Sequence, residues 1–501
     1  EGVRCHKTVA EIAAPVDVAM ICLPAEKAVE AAEQCADAGI PNVIVAVSGF
    51  SETNTEEGKA LQRRLSAVAE RGTRVTGPNC NGIYNVLEDV SLGYNVIHSM
   101  NIKKGDIAIL SHSGALFSSI VSLGKNFGNG VGYSYFVSVG NEADLTIVDY
   151  LEYMIEDPGT KIIGLIIDSI SDVQRFGYLA KQAREKGKPL VAIKLGVSET
   201  GSKAAQAHSS RMAGSAKNYQ ALFRKYGIIQ AHSIESFVGI LAILQKYRIK
   251  DKTGLIGVST SGAGCAILAD SADKYGLRFV PLSANTLAAM EKQKGFGVPM
   301  NPFDIGASNP VSIGFMSQTM ANDEAAGFVL FYSTILQTEK LRRKVAELYS
   351  ESCKNMGNMP FLVIAPGPLS PEEMDTYQKH DIVVFQSTDA AMDAVRGIIE
   401  AKNSVTEDDR PGLQHAPRDG GIAAHHLRPE NVWTALQQVG IPVPKQTVVS
   451  SVDDVLPACR ELGYPVVIKG LSNRFMHKSD LGLVWVDVTG DEQVHEITAF
   501  L

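Results

Sequence analysis

The sequence predicts a multi-domain α/β fold built on parallel sheets, and three observations predict it. Apolar β-branched runs alternate with segments of helical periodicity, as in βαβ units. Two stretches, Ile107–Gly128 and Leu255–Gly276, align without gaps, so one α/β unit occurs twice. After Ile399 the alternation breaks into a polar stretch and then resumes, which marks a linker and a further module.

The bulk properties exclude several function classes. The 501 residues are enough for several domains, and the 45% hydrophobic content is that of an ordinary globular protein. The net charge of −8 gives no basic footprint, so nucleic acid is not an expected partner. No uninterrupted apolar run approaches the ~20 residues of a membrane span, so no membrane is expected either. Seven cysteines, at positions 5, 22, 35, 80, 265, 353 and 459, lack CxxC or metal spacing. That is the pattern of reduced thiols in a cytoplasmic protein, and no metal site is read from them. The chain opens on EGVRC without a signal-peptide pattern and stops at VHEITAFL inside a helical pattern, so a fragment is expected at both ends.

Taken in order, Val16–Leu23 is a β-branched run ending at Pro24, Glu26–Ala38 has helical periodicity, and Val43–Val47 is the next strand. Ser48, Gly49 and Phe50 then lie at a strand's carboxyl end, where open α/β sheets bind ligands. Helix Glu56–Arg71 leads to a short strand and the turn GPNCNG, Gly77–Gly82. No Gly-rich turn precedes Val16, so the first βαβ, on the order of 30 residues, is expected to be missing. Ile107–Leu110 is a strand, followed by the turn SHSGA (Ser111–Ala115) and an apolar helix to about Lys125. GNEAD (Gly140–Asp144) follows another strand, and Ile162–Ile167 ends at Asp168.

Strand Val191–Leu195 opens into a loop of small residues that holds His208 before AGS, Ala213–Ser215, and a helix near Lys217. Small residues around one imidazole suit a loop that approaches ligands closely or moves. Such a histidine is a candidate phosphoryl-accepting nucleophile; the bland alternative is a solvated loop histidine. The second repeat brings Ser261, Gly262 and Ala263 to the positions of Ser113, Gly114 and Ala115. A Ser/Gly turn entering a helix offers free N–H groups and a positive dipole end to phosphate. One such turn is common in any α/β fold; two copies around a small-residue histidine loop point to a phosphate relay. Lys402–His426 reads as a linker, with His415, His425 and His426 as linker residues. A new module follows from about Arg428, with helix Asp453–Leu462 and a strand ending at Lys469. That lysine either snorkels to solvent or meets a nucleotide phosphate.

These residues together resemble the NDP-forming acyl-CoA synthetases, the acetate–CoA ligase (ADP-forming) group related to succinyl-CoA synthetase. The resemblance is carried by GPNCNG, SHSGA, GNEAD, the His208 loop with AGS, NPFDI (Asn301–Ile305), GYPVVIK (Gly463–Lys469) and HKSD (His477–Asp480) in that order. It implies a Rossmann-like CoA-binding domain at residues 1–97, two flavodoxin-like CoA-ligase domains at 98–250 and 251–400, a linker at 401–425, and the beginning of an ATP-grasp domain at 426–501. It implies that His208 is the phosphorylated histidine and that Asp168 orients it. Ser111, Ser113, Gly114, Ala115, Ser261, Gly262 and Ala263 would hold the phosphate. Pro24, Ser48, Gly49, Phe50, Asn79 and Cys80 would face CoA, and Lys469, His477 and Lys478 would face ATP. The implied substrates are a carboxylic acid, CoA and ATP, with ADP released, and a homo-oligomer is expected. Mg2+ would be bound by ligands outside this chain.

The sequence departs from the family pattern in places. The loop reads His208-Ser209-Ser210 where H-T-G is usual, His112 stands where Gln is frequent, and Asp168 where Glu is usual. The departures suggest an acid other than acetate, larger aliphatic or aromatic. Two rival readings remain at this level: a catalytically inactive CoA-binding, acyl-sensing regulator, and a nicotinamide-dependent oxidoreductase. The second lacks the GxGxxG fingerprint with its acidic ribose residue.

Overall fold

The computed structural model describes residues 5–94, 96–202, 216–249, 251–292, 299–306, 318–333, 359–367, 369–404, 442–470 and 482–500, with scattered positions between 340 and 354. They fall into two units, residues 1–411 and 412–501.

In the first unit, strands β1 (Ala19–Ile21), β2 (Asn42–Val45) and β3 (Arg74–Thr76) form a parallel sheet in that order. The helix Ala25–Asp37 buries Ala28, Val29, Ala32 and Cys35, a stripe at helical spacing, and Gly39 follows it at φ 72°. Helix Glu56–Ala67 begins at Thr55, whose hydroxyl accepts from the Gly58 N–H.

A second sheet has seven strands. They are β4 (Gly82–Asn85), β5 (Val90–Gly93), β6 (Lys104–Ser111), β7 (Tyr133–Ser138), β8 (Ile162–Ile167), β9 (Leu190–Lys194) and β10 (Ile229–Ala231), in the order β10-β9-β8-β6-β7-β4-β5. Strands β6 to β10 are parallel, and all six residues of β8 are buried, as expected of an unbroken apolar run covered on both faces. The β4–β5 hairpin lies within residues 1–97 yet pairs with this sheet rather than with β1–β3: Ile83, Tyr84 and Asn85 lie antiparallel to Val137, Phe136 and Tyr135. It covers the edge that β7 would otherwise expose. The hairpin also needs Gly82, at φ 87°, because a Cβ there would come within 2.0 Å of Leu92 O.

The third sheet, β11 (Gly254–Ser259), β12 (Phe303–Asp304), β13 (Ala326–Tyr332), β14 (Phe361–Ile364) and β15 (Val383–Phe385), is wholly parallel in the order β12-β11-β13-β14-β15. Helices Ile234–Lys246 and Thr388–Lys402 join it to the second sheet in one core through Phe237, Leu241, Val395 and Phe385. Among the described residues no helix is long and apolar enough to cross a membrane.

A polar brace accompanies that junction. Asp393 is buried and accepts from the His232 N–H at 2.8 Å, the Ser236 hydroxyl at 2.6 Å and the Arg396 guanidinium at 2.8 Å. Burial pushes its carboxyl up, but the hydrogen bonds from His232, Ser236 and Arg396 together outweigh this and hold it well below the usual carboxylate range. A depressed folded-state value means the stabilisation is present above the unfolded value of ~3.9 and is lost as pH falls through the folded one. Asp393→Asn is expected to lower Tm at neutral pH and to flatten the fall in Tm below about pH 4. Tm curves against pH that run parallel for both proteins would contradict this.

In the second unit, β16 (Val466–Lys469) pairs antiparallel with β17 (Val484–Val488). Helices Val455–Leu462 and Asp491–Phe500 share a small core with them, made of Val455, Cys459, Val466, Val488, Val494 and Ile497. The linker histidines 415, 425 and 426 and the helix expected after Arg428 lie outside the described residues.

Candidate active site

Three of the sequence motifs meet at the carboxyl ends of β6 and β7. A Cβ on Gly114 of SHSGA would lie 2.4 Å from the Asn81 side chain of GPNCNG. A Cβ on Gly140 of GNEAD, at φ 56°, would lie 2.0 Å from Pro78 O. Glycine lets the SHSGA turn pack against the Asn81 side chain and the GNEAD turn touch backbone to backbone.

The SHSGA turn is tied by its own serine. Ser111 is buried; its hydroxyl accepts from the Ser113 N–H at 3.0 Å and donates to Ser113 O at 2.8 Å. Ser111 therefore shapes the turn, where the sequence had suggested a phosphate donor. The repeat is the same device: the Ser259 hydroxyl accepts from the Ser261 N–H at 3.2 Å. Neither Ser113 nor Ser261 caps its helix with its side chain. After Ser113 a single 3-10 turn, Gly114–Leu116, precedes the helix Phe117–Gly124, whereas Gly262 opens its helix directly. The second turn also has a carboxylate beside it, since a Cβ on Gly262 would lie 3.3 Å from Asp304 Oδ2. An anion bound there would meet like charge from Asp304. Asn301 of NPFDI is a structural pin: its side chain bonds Gly257 N, Leu255 O and Val280 O, each at 2.8 Å.

Adjacent strands bring four ionisable residues into a row along the same sheet edge: Lys194 ends β9, Asp168 follows β8, His112 follows β6 and Glu142 follows β7. All four are buried. Burial pushes the Lys194 ammonium down, and the nearby Asp168 charge pulls it partly back. The His112 ring lies between the Asp168 N–H, 3.3 Å from Nδ1, and Glu142 Oε1, 3.1 Å from Nε2. Asp168 does not cap the helix Val173–Glu185; Asp172 does, accepting from the Arg175 N–H at 2.9 Å. Among the described residues, the buried hydroxyls of Ser138 and Ser169, also on this edge, have no hydrogen-bond partner. Buried hydroxyls seldom stay so, and a bound oxyanion or water would satisfy them.

His208 lies outside the described residues, as do His477 and Lys478. The two stems of its loop are described. Lys194 precedes it with its ammonium 4.9 Å from the Tyr219 ring centroid. Tyr219 follows it, on the helix Ala216–Tyr226, and its hydroxyl accepts from the Ile170 N–H at 2.8 Å. Both stems thus border the end of β8, where Asp168 sits.

On the side assigned to CoA, Pro24 precedes the helix Ala25–Asp37 and Gly49, at φ 110°, places its Cβ position 3.0 Å from Ala25 Cβ. Pro24 and the Ser48–Phe50 turn are therefore neighbours. Two of the assigned side chains are core groups instead. Phe50 is fully buried, and Cys80 donates its thiol to Val45 O, with burial pushing that thiol up to about 12. Neither side chain is left for a ligand. Asn79, at φ 57°, donates its amide to Asn141 at 3.3 Å. Sequence reasoning missed Glu52, Asn141 and Asp144 as the fasteners here. The Glu52 carboxylate accepts from the N–H groups of Gly49 and Phe50 and from the Asn141 amide. Asp144 takes Arg74 in two bonds of 2.8 and 2.9 Å and the Val75 N–H at 2.9 Å. A Glu three residues after Gly49 was the available signal, since it has capping-box spacing. For Lys194 there was none.

In the other unit Lys469 is exposed at the end of β16. Among the described residues no group of His, Cys, Asp and Glu is placed to hold a metal ion.

Comparison with known proteins gives three family matches: a CoA binding domain at residues 1–86, a succinyl-CoA ligase like flavodoxin domain at 104–244, and an ATP-grasp domain at 423–500. The chain is 31% identical to acetate–CoA ligase [ADP-forming] I of Archaeoglobus fulgidus, over 97% of this chain and 71% of that protein. It is 25% identical to 4-hydroxybutyrate–CoA ligase [ADP-forming] of Nitrosopumilus maritimus, over 98% of this chain and 72% of that protein. It is also similar to a solved acetyl-coenzyme A synthetase 1 of Ca. Korarchaeum cryptofilum in complex with phosphate and ADP. There the TM-score is 0.69 at 25% identity, covering 80% of this chain and 86% of the other.

Proposed function

This chain belongs to the family of ADP-forming acetate–CoA ligases, and from that premise we propose that it forms acyl-CoA through a phosphohistidine at His208 and an acyl phosphate. The coarser activity, ADP-forming ligation of an acid to CoA, is that of the family, with CoA and ATP as substrates. In the proposed route a His208 ring nitrogen attacks the γ-phosphorus of ATP; an N–P bond forms and ADP leaves. The substrate carboxylate then attacks that phosphorus, breaking the N–P bond and making an acyl phosphate. The CoA thiol attacks the acyl carbon, loses its proton, and displaces phosphate. The covalent intermediate divides one hard step into easier ones.

One observation supports this reading above the rest: both stems of the His208 loop reach the end of β8, Lys194 near Asp168 and Tyr219 at Ile170, on the sheet edge that carries the SHSGA turn. The positive end of the helix Phe117–Gly124 that follows that turn would face the transferring phosphoryl group. The acid is proposed to be larger than acetate, and the hydroxybutyrate named for one relative fits that class. Full-length enzyme assayed over acetate, branched, dicarboxylic and hydroxycinnamic acids is expected to release one ADP and one phosphate per acyl-CoA. Release of AMP, or no turnover with any acid, would overturn the proposal, the second result in favour of a sensor.

A further inference from the structure

We infer that His112 is a positioning residue for the ligase reaction, acting as the Nε2–H tautomer to hold the end of β8 and the GNEAD turn in one register. The inference rests on reading this sheet edge as the phosphoryl site. It begins from the ring's surroundings. His112 is 5% exposed and is enclosed by groups from two other strand ends. Its own backbone N–H already donates to Ile166 O at 3.2 Å, and that oxygen is a more distant 3.4 Å from Nδ1. The Asp168 N–H is directed at Nδ1, 3.3 Å away. A nitrogen that accepts from an N–H carries no proton, so the ring proton belongs on Nε2. There it meets Glu142 Oε1 at 3.1 Å.

Glu142 is itself fixed. The same oxygen accepts from the Ile147 N–H at 2.7 Å, at the start of the helix Ile147–Glu156. Its φ of 51° is a left-handed conformation that an L residue keeps only when its surroundings enforce it. The next residue back, Asn141, reaches Glu52 and so the Gly49–Phe50 turn. His112 therefore joins two loops: the one that presents Asp168 and the one that touches the CoA-binding domain. Ser113 and Gly114 follow it directly, so a shift of the ring would move the start of the helix Phe117–Gly124 relative to Asp168. Phosphoryl transfer is sensitive to that spacing, since a misplacement of about 1 Å costs roughly a hundredfold.

The test compares variants of the full-length enzyme in acyl-CoA formation, with Tm as a control. H112L fills space but makes neither bond; its kcat is expected to fall roughly ten- to a hundredfold with the KM for ATP little changed. H112Q supplies an amide oxygen for the Asp168 N–H and an amide N–H for Glu142, and is expected to stay near wild type. Wild-type kcat in H112L, or an H112Q as slow as H112L, overturns the inference. Should H112L not fold, H112N takes its place: the same amide one methylene shorter cannot span both partners, and an H112N as fast as H112Q overturns it. The outcome is separable from the phosphohistidine reading. Wild-type enzyme that never carries phosphate on His208 ends that reading whatever His112 does, whereas a fast H112L that labels normally ends only the positioning role.

Discussion

His208→Ala is expected to reduce acyl-CoA formation by roughly four orders of magnitude or more, the scale of losing a covalent nucleophile. Alanine offers no lone pair to the γ-phosphorus, and among the described residues no second histidine is available at the Asp168 edge except His112. The His112 ring is buried, with both nitrogens engaged. It therefore cannot substitute without breaking the bonds that hold it. Turnover of the variant is measured with coupled ADP release, and Tm serves as the check on folding. Activity within tenfold of wild type would move the nucleophile elsewhere, with His477 the next residue to replace.

Asp168→Asn is expected to slow phosphorylation of His208 by about one to two orders of magnitude. A carboxylate on one imidazole nitrogen fixes the tautomer and stabilises the charge that develops on the ring. Removing one charge-assisted hydrogen bond costs about 1.5–3 kcal/mol, which is that range of rate. The alternative is a strand-end Asp that caps the turn Ser169–Asp172, a role in which Asn would serve as well. The Asp168 backbone N–H that meets His112 is unaffected by the change. Folding should therefore be little altered, while Lys194 loses the nearby charge that supports its ammonium. Asp168→Glu keeps the charge with one more methylene and is expected to be tolerated. Rapid-quench rates for the three proteins decide it: a wild-type rate in the Asn variant returns Asp168 to a structural role.

How much was legible in the chain depended on where each residue's partners come from. Strand β8 was read to the residue because six apolar positions covered on both faces leave no polar alternative. The repeat foretold that Ser111–Ser113 and Ser259–Ser261 fold alike, because each turn is closed by its own serine two residues away. Local bonds of this kind are written in local sequence. The β4–β5 hairpin was assigned with β1–β3 because its partner, β7, is some fifty residues downstream, and nothing in GIYN names it. Phe50 and Cys80 were placed on the CoA side by motif; burial of their side chains depends on helices and strands that pack from elsewhere. His112 was seen as a departure from a pattern and not as a member of the site, since its two partners lie thirty and fifty-six residues away.

The central claim is that phosphate passes through His208. The most direct measurement is to incubate full-length enzyme with γ-labelled ATP, digest it under alkaline conditions, and locate the label by peptide mapping. The account requires an acid-labile, base-stable phosphate on the peptide that contains His208, discharged as inorganic phosphate only when acid and CoA are both added. Label on another peptide, or turnover with His208 never labelled, would contradict it.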